Sequence, residues 1–217
     1  MKNFRKYFIK AIKTNYPDQA DRLVEDMQEH YAILSVDTAF AARSANPIDR
    51  RLDMCTYFLA FIKTLDEEGR SFEEIRKICL EVVTAYVQPR NGLHLWMKRL
   101  PALLLPTWFG KIMVRWLKRK LSRKGHPDGF VATIITDPEE TYGFGYGFDI
   151  NECGICKLFK KHDYFQYASI LCEVDEITSA LAGLKLIRTG TIANGAHKCD
   201  FRFQRLKDQG IASKGSN

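Results

Sequence analysis

What the chain lacks narrows its class before any motif is considered. No apolar run approaches the roughly 18 residues that a membrane span requires. The longest candidate, 100–105, is interrupted by Pro101 and stopped by Pro106. The first residues, Met-Lys-Asn-Phe-Arg-Lys-Tyr, are too frequently charged for the apolar centre of a secretory signal. No internal repeat is visible. No strand-like segment interleaves aromatic and basic residues in the way that stacks single-stranded nucleic acid. A cytoplasmic, reducing compartment is the expectation. There, six cysteines read as buried, catalytic or metal-binding rather than disulfide-linked.

Acid is missing from one stretch. Between Lys98 and Lys124 stand nine basic residues and no Asp or Glu. The whole chain of 217 residues is only +7, so the remainder is slightly acidic and no nucleic-acid partner follows from the net charge. After Pro106 a helix over 107–121 is expected, since each residue advances about 100°. Trp108, Phe109, Ile112, Met113 and Trp116 then share one arc, and Lys111, Arg115, Lys118 and Arg119 the other. Two readings stand: a core-facing helix with a solvated basic face, or a peripheral contact with an anionic membrane surface or an acidic partner.

What is present is a globular composition, 46% hydrophobic and 27% charged, which supplies one sizeable core or two small ones. Residues 1–125 read as helical. Phe4, Phe8, Ile9 and Ile12 share a face, as do Leu23, Met27 and Tyr31 in a helix over 18–34 that follows Pro17. A third helix over 50–65 puts Leu52, Cys55, Leu59 and Ile62 on one stripe. Ser71 and Glu74 form a capping box opening a fourth, which carries Ile75, Ile78, Cys79, Val82 and Val83. Cys55 and Cys79 are therefore packing residues.

The character changes across the polar stretch 122–129. Beyond it 130–136 is β-branched and apolar, and 142–148 alternates Tyr142, Phe144, Tyr146 and Phe148 with Gly143, Gly145 and Gly147. No Lys-Ser/Thr pair follows these glycines, so they are not a phosphate loop; a glycine face lets another group approach the backbone. Residues 152–181 are helical with a break near Asp163. Two further strands, 184–192 and 198–204, flank an Asn194-Gly195 turn signal. The expected fold is α+β: a helical region over 1–125, then an α+β cysteine-containing domain over 126–217 in the order β-β-α-α-β-β, packed as one globular unit.

Four cysteines crowd into this second part. Cys153-x-x-Cys156 and Cys172-x-x-Asp175 are i, i+3 pairs, and Cys199 shares a strand face with Phe201 and Phe203 while Asp200 and Arg202 point the other way. Three readings are open. Zinc accepts thiolate, imidazole and carboxylate, so Cys153, Cys172 and Cys199 with Asp175 or His197 could form a mixed site. One thiol could be a nucleophile beside His197 or His162, with Cys153 favoured because it lies near an expected helix start. Or all four simply pack. Arg202 with Asp200 could orient a zwitterionic substrate, with Tyr146 as a further substrate-binding candidate.

The runs Gly147-Phe148-Asp149-Ile150-Asn151-Glu152-Cys153, Cys172-Glu173-Val174-Asp175, Arg188-Thr189-Gly190-Thr191-Ile192-Ala193-Asn194-Gly195 and Cys199-Asp200-Phe201-Arg202-Phe203 resemble the L-2-amino-thiazoline-4-carboxylic acid hydrolase family. The resemblance covers 130–204 best, and Cys153, Cys172, Asp175, Cys199 and Asp200 fall on its signature; Cys156 and His197 do not. It implies a hydrolase that opens the thiazoline ring of a cysteine-related amino acid to a carbamoyl-cysteine, on a bacterial route to L-cysteine. A looser likeness to vinyl-4-reductase-like ligand-binding domains implies a structural zinc held by cysteines and an acid. Two functional expectations follow. In the first, Cys153, Cys172 and Cys199 gather near the sheet with Asp175 as ligand or general base. Zinc-bound water or the Cys153 thiolate attacks the ring, and Asp200 or Arg202 holds the amino-acid end. In the second, the chain is a non-enzymatic small-molecule sensor with a structural zinc.

Overall fold

The computed structural model describes residues 4–89, 91–105, 107–121 and 125–206. Part of the expected 122–129 boundary, with Arg123 and Lys124, and the stretch 207–217 lie outside them. Four helices form the first layer: α1 (Arg5–Asn15), α2 (Ala20–Thr38), α3 (Leu52–Glu67) and α4 (Phe72–Val87). Their apolar stripes are the expected ones. Phe8, Ile12, Leu23, Met27, Leu59, Ile62 and Cys79 are almost fully buried. Ser71 caps α4 by accepting from the Glu74 amide at 3.3 Å. The Glu74 carboxylate does not complete the box, because it accepts instead from the Tyr16 hydroxyl at 2.7 Å.

α5 (Gly92–Leu104) and α6 (Trp108–Leu121) follow. The second half supplies β1 (Val131–Ile135), β2 (Gly147–Glu152), α7 (Gly154–Lys161), α8 (Ala168–Leu181), β3 (Leu184–Ile187) and β4 (Cys199–Arg205). The strands pair antiparallel in the order β1-β2-β4-β3. The fold is thus α+β, and the second half runs β-β-α-α-β-β. No described helix is long and apolar enough to cross a membrane.

The larger apolar cluster joins α1–α4 to α7 and α8, and a second joins the sheet to Ala41, Leu52, Ala102 and the α6 residues Val114 and Leu121. Cys153 and Ile155 pack against both clusters.

Three expectations about local structure are corrected. The alternating stretch 142–148 is mostly turn, and only Gly147 and Phe148 belong to a strand. Tyr142, Gly143 and Gly145 have φ of 50°, 74° and 74°, so these glycines serve left-handed backbone rather than a bare strand face. At Gly147 a close approach is real, but the approaching groups belong to β4: a Cβ there would stand 2.8 Å from the Phe201 carbonyl oxygen and 2.9 Å from the Arg202 Cδ. Secondly, Asn194-Gly195 is not a two-residue hairpin turn. Thr191 caps a short 3-10 turn over 192–194 by accepting from the Asn194 amide, and Gly195 ends it at φ 88°, so β3 stops at Ile187. Thirdly, α6 packs on the sheet through Val114 and Leu121 and buries Gly110 against the Leu104 and Leu105 carbonyls, whereas Trp108, Phe109, Ile112, Met113 and Trp116 are exposed. The core-facing reading of that apolar arc is therefore wrong.

Candidate functional site

The register of the sheet decides which side chains share a face. Ile134 pairs with Phe148, Phe148 with Phe201, and Ile150 with Cys199, so these five side chains stand on one side. They floor a cavity of about 290 Å³, roofed by α6 through Leu117 and Leu121 and closed by α7, α8 and the segment before α3. The Phe148 and Phe201 rings stack at 4.4 Å between centroids.

The segment before α3 is fixed by buried polar groups for which local spacing gives no signal. Asp49, fully buried, accepts from the Phe130 amide at 2.9 Å and from the Ser44 hydroxyl. Asn46 donates to the Phe130 carbonyl at 2.8 Å. This clamp ties the start of β1 to the residues that deliver Pro47, Ile48 and Arg51 to the cavity wall.

The polar equipment of the cavity is compact. Cys153, Cys156, Cys172 and Cys199 all line it, together with Arg51, Asp175, Arg188 and Tyr146. Cys172 and Asp175 lie one turn apart on α8, as the i, i+3 spacing requires. Arg188, just past β3, donates to the Asp175 carboxylate at 3.3 Å and to the Cys172 carbonyl at 3.0 Å, and lies over the Phe201 ring at 5.2 Å. Arg51 approaches the other Asp175 oxygen at 3.8 Å. Burial raises the Asp175 carboxyl above its ordinary value even though Arg51 and Arg188 pull the other way. It can therefore hold and return a proton more readily than a solvated carboxylate.

The thiols are not equivalent. Cys153 is the N-cap of α7. It makes no full capping hydrogen bond, but the Cys156 thiol and then the Cys156 and Ile155 amides hold it below the ordinary thiol range, against the opposing effect of burial. Cys156 is pushed up as that donor and by burial. Cys172 is pushed up to about 12, chiefly by burial and then by Asp175. Burial also raises Cys199, whose sulfur accepts from the Ile192 amide at 3.2 Å. Of the four thiols, Cys153 is the one held below the ordinary range.

Other expected participants are elsewhere. Asp200 accepts from the Thr189 and Gly190 amides at 3.0–3.1 Å and from the Thr189 hydroxyl at 2.9 Å, which fixes the loop after β3. Arg202 is buried on the opposite sheet face, donating to Asp149 at 2.8 Å and to the Glu140 carbonyl at 3.1 Å. Neither lines the cavity, contrary to the expectation that they hold the substrate there; the guanidinium groups that do line it are Arg51 and Arg188. His162 pairs with Asp37 at 2.8 Å and His197 is exposed, so neither serves as the base beside a thiol. Among the described residues no group of three or more His, Cys, Asp or Glu is gathered closely enough to hold a metal ion. As placed, the thiols surround the cavity without forming a ligand set.

A family model described as L-2-amino-thiazoline-4-carboxylic acid hydrolase matches residues 49–203. That span begins at the Asp49 clamp and ends in β4, enclosing every cavity residue except Pro47 and Ile48. No curated protein and no solved structure matches the chain.

Proposed function

The chain belongs to the L-2-amino-thiazoline-4-carboxylic acid hydrolase family, and on that premise we propose that the thiol-lined cavity hydrolyses a small cyclic amidine of this kind, with Cys153 as nucleophile. The observation that carries the reading is the meeting of a lowered thiol, a raised carboxyl and two guanidinium groups on one apolar cavity. At about 290 Å³ it is at the small end of ligand pockets, roughly 300–1,000 Å³, which suits a single-ring substrate.

Arg51 and Arg188 hold the ring carboxylate, as guanidinium groups do. The Cys153 thiolate adds to the amidine carbon, and protonated Asp175 gives its proton to the ring nitrogen. The ring carbon–sulfur bond then breaks, its electron pair leaving on the ring sulfur as a thiolate, and the carbon remains on Cys153 as an isothiourea. Asp175, now a carboxylate, takes a proton from water as the water oxygen attacks that carbon. As the Cys153 thiolate departs, the proton of the resulting hydroxyl passes to the released ring thiolate, leaving a carbamoyl-cysteine with a free thiol, one water consumed and no redox change. The step can serve the formation of L-cysteine, because the product carries the cysteine skeleton.

The test is incubation of purified protein with 2-aminothiazoline-4-carboxylate, following new free thiol. Release by the wild type and loss in Cys153→Ser support the reading. Thermal stabilisation by the compound without thiol release would favour a small-molecule sensor.

A further inference from the structure

The outward surface of α5 and α6 has no use in the chemistry above. Ten of the sixteen exposed large hydrophobic side chains among the described residues belong to these two short helices. On α6 the buried arc is Gly110, Val114 and Leu121, and the arc turned away from it carries Trp108 at 74% and Trp116 at 54% exposure. Exposed Lys111, Arg115 and Lys118 flank that apolar arc, and the Lys120 ammonium lies over the Trp116 ring at 5.4 Å. No acidic residue occurs between 98 and 124. Gly110 allows the tight turn between the helices: a Cβ there would stand 2.3 Å from the carbonyl oxygens of Leu104 and Leu105.

We infer that α6, together with the exposed side chains of α5 that precede it, lies on an anionic lipid surface. Helices of 13 and 14 residues are too short to span a bilayer, which takes about 20 residues. A helix with indoles and aliphatic side chains on one arc and cations beside them has the chemistry of the headgroup boundary. Charge selects the occupant. A second copy of this chain would bring equal basic arcs together, whereas anionic headgroups neutralise them. α6 also walls the cavity through Leu117 and Leu121, so the docked helix keeps one side on lipid and the other on the substrate site.

The chain has three tryptophans, Trp96, Trp108 and Trp116, and all three are exposed on these two helices, so tryptophan emission reports on them alone. Purified protein is mixed with vesicles of phosphatidylcholine, alone or with phosphatidylglycerol, and followed by tryptophan emission and co-sedimentation. The expected result is a blue shift and pelleting with the anionic vesicles only, weakened by added salt. Lys111→Glu/Arg115→Glu should weaken binding about tenfold or more, at roughly 1 kcal/mol for each cation near the surface. Ile112→Ser/Met113→Ser should weaken it with all charges kept, and both variants should retain the circular dichroism of the wild type because the changed side chains are exposed. Unshifted emission and protein left in the supernatant would overturn the inference. So would a dimer whose emission is already blue without lipid, or binding only to an acidic protein.

Discussion

Cys153 and Cys156, one turn apart at the start of α7, are displaced in opposite directions: the first thiol is held below its ordinary range and the second is pushed above it. The donor that stabilises the Cys153 thiolate is the Cys156 thiol, helped by the first amides of the helix. Cys156 lies outside the family-like signature, yet it is the first of the groups that lower its neighbour.

This relationship has a pH signature. Alkylation of Cys153 by iodoacetamide, followed by peptide mass spectrometry, should rise with pH to a half-maximum below that of a free thiol, near 8.5. In Cys156→Ala the half-maximum should move up. An unchanged profile would mean that the amides alone set the thiolate.

Arg188 stacks on Phe201 and forks between Asp175 and the Cys172 carbonyl, a geometry that a lysine cannot reproduce. Steady-state kinetics of Arg188→Lys should show KM raised by about tenfold, the scale of one charged hydrogen bond. The change in kcat should be smaller. An unaltered KM would remove Arg188 from substrate binding.

The Asp49 clamp should matter to stability. Asp49→Ala leaves the Phe130 amide and the Ser44 hydroxyl without their acceptor, at a cost of about 2–3 kcal/mol for buried donors. Urea unfolding followed by circular dichroism measures it, and a loss under about 0.5 kcal/mol would mean that water replaces the carboxylate.

The arginine on the back of the sheet should be structural. Burial alone would raise the Asp149 carboxyl, but Lys198 and Arg202 more than offset this and hold it below its ordinary value. A carboxyl lowered on folding contributes stability that is present above its unfolded pKa, about 3.9, and lost as pH falls through the folded value. Asp149→Asn should therefore cost about 3 kcal/mol at neutral pH, with the gap to the wild type narrowing below about pH 4. A gap that does not depend on pH would contradict the ion-pair account.

Much of this was legible because it is local. Helical spacing places Cys172 and Asp175 together on α8, and strand alternation separates Cys199 and Phe201 from Asp200 and Arg202. The expected helix start at Cys153 is the N-cap of α7. What escaped depends on distant chain segments. Arg51 and Arg188 meet at Asp175 only in the folded chain, and a single arginine carries no spacing signal. Arg202 looked available because alternation names a face without saying what covers it; the 137–146 turn does, through the Glu140 carbonyl. The periodicity of α6 likewise establishes that the helix is amphipathic, while the packing of Gly110 and Val114 decides which arc is buried.

The covalent role of Cys153 is tested most directly by intact-protein and peptide mass spectrometry of enzyme quenched in acid during turnover of 2-aminothiazoline-4-carboxylate. The account predicts a transient adduct with the mass of the substrate on the Cys153 peptide, absent from Cys153→Ser, which also releases no thiol. Turnover that persists in Cys153→Ser, or an adduct on Cys172 or Cys199, would contradict it.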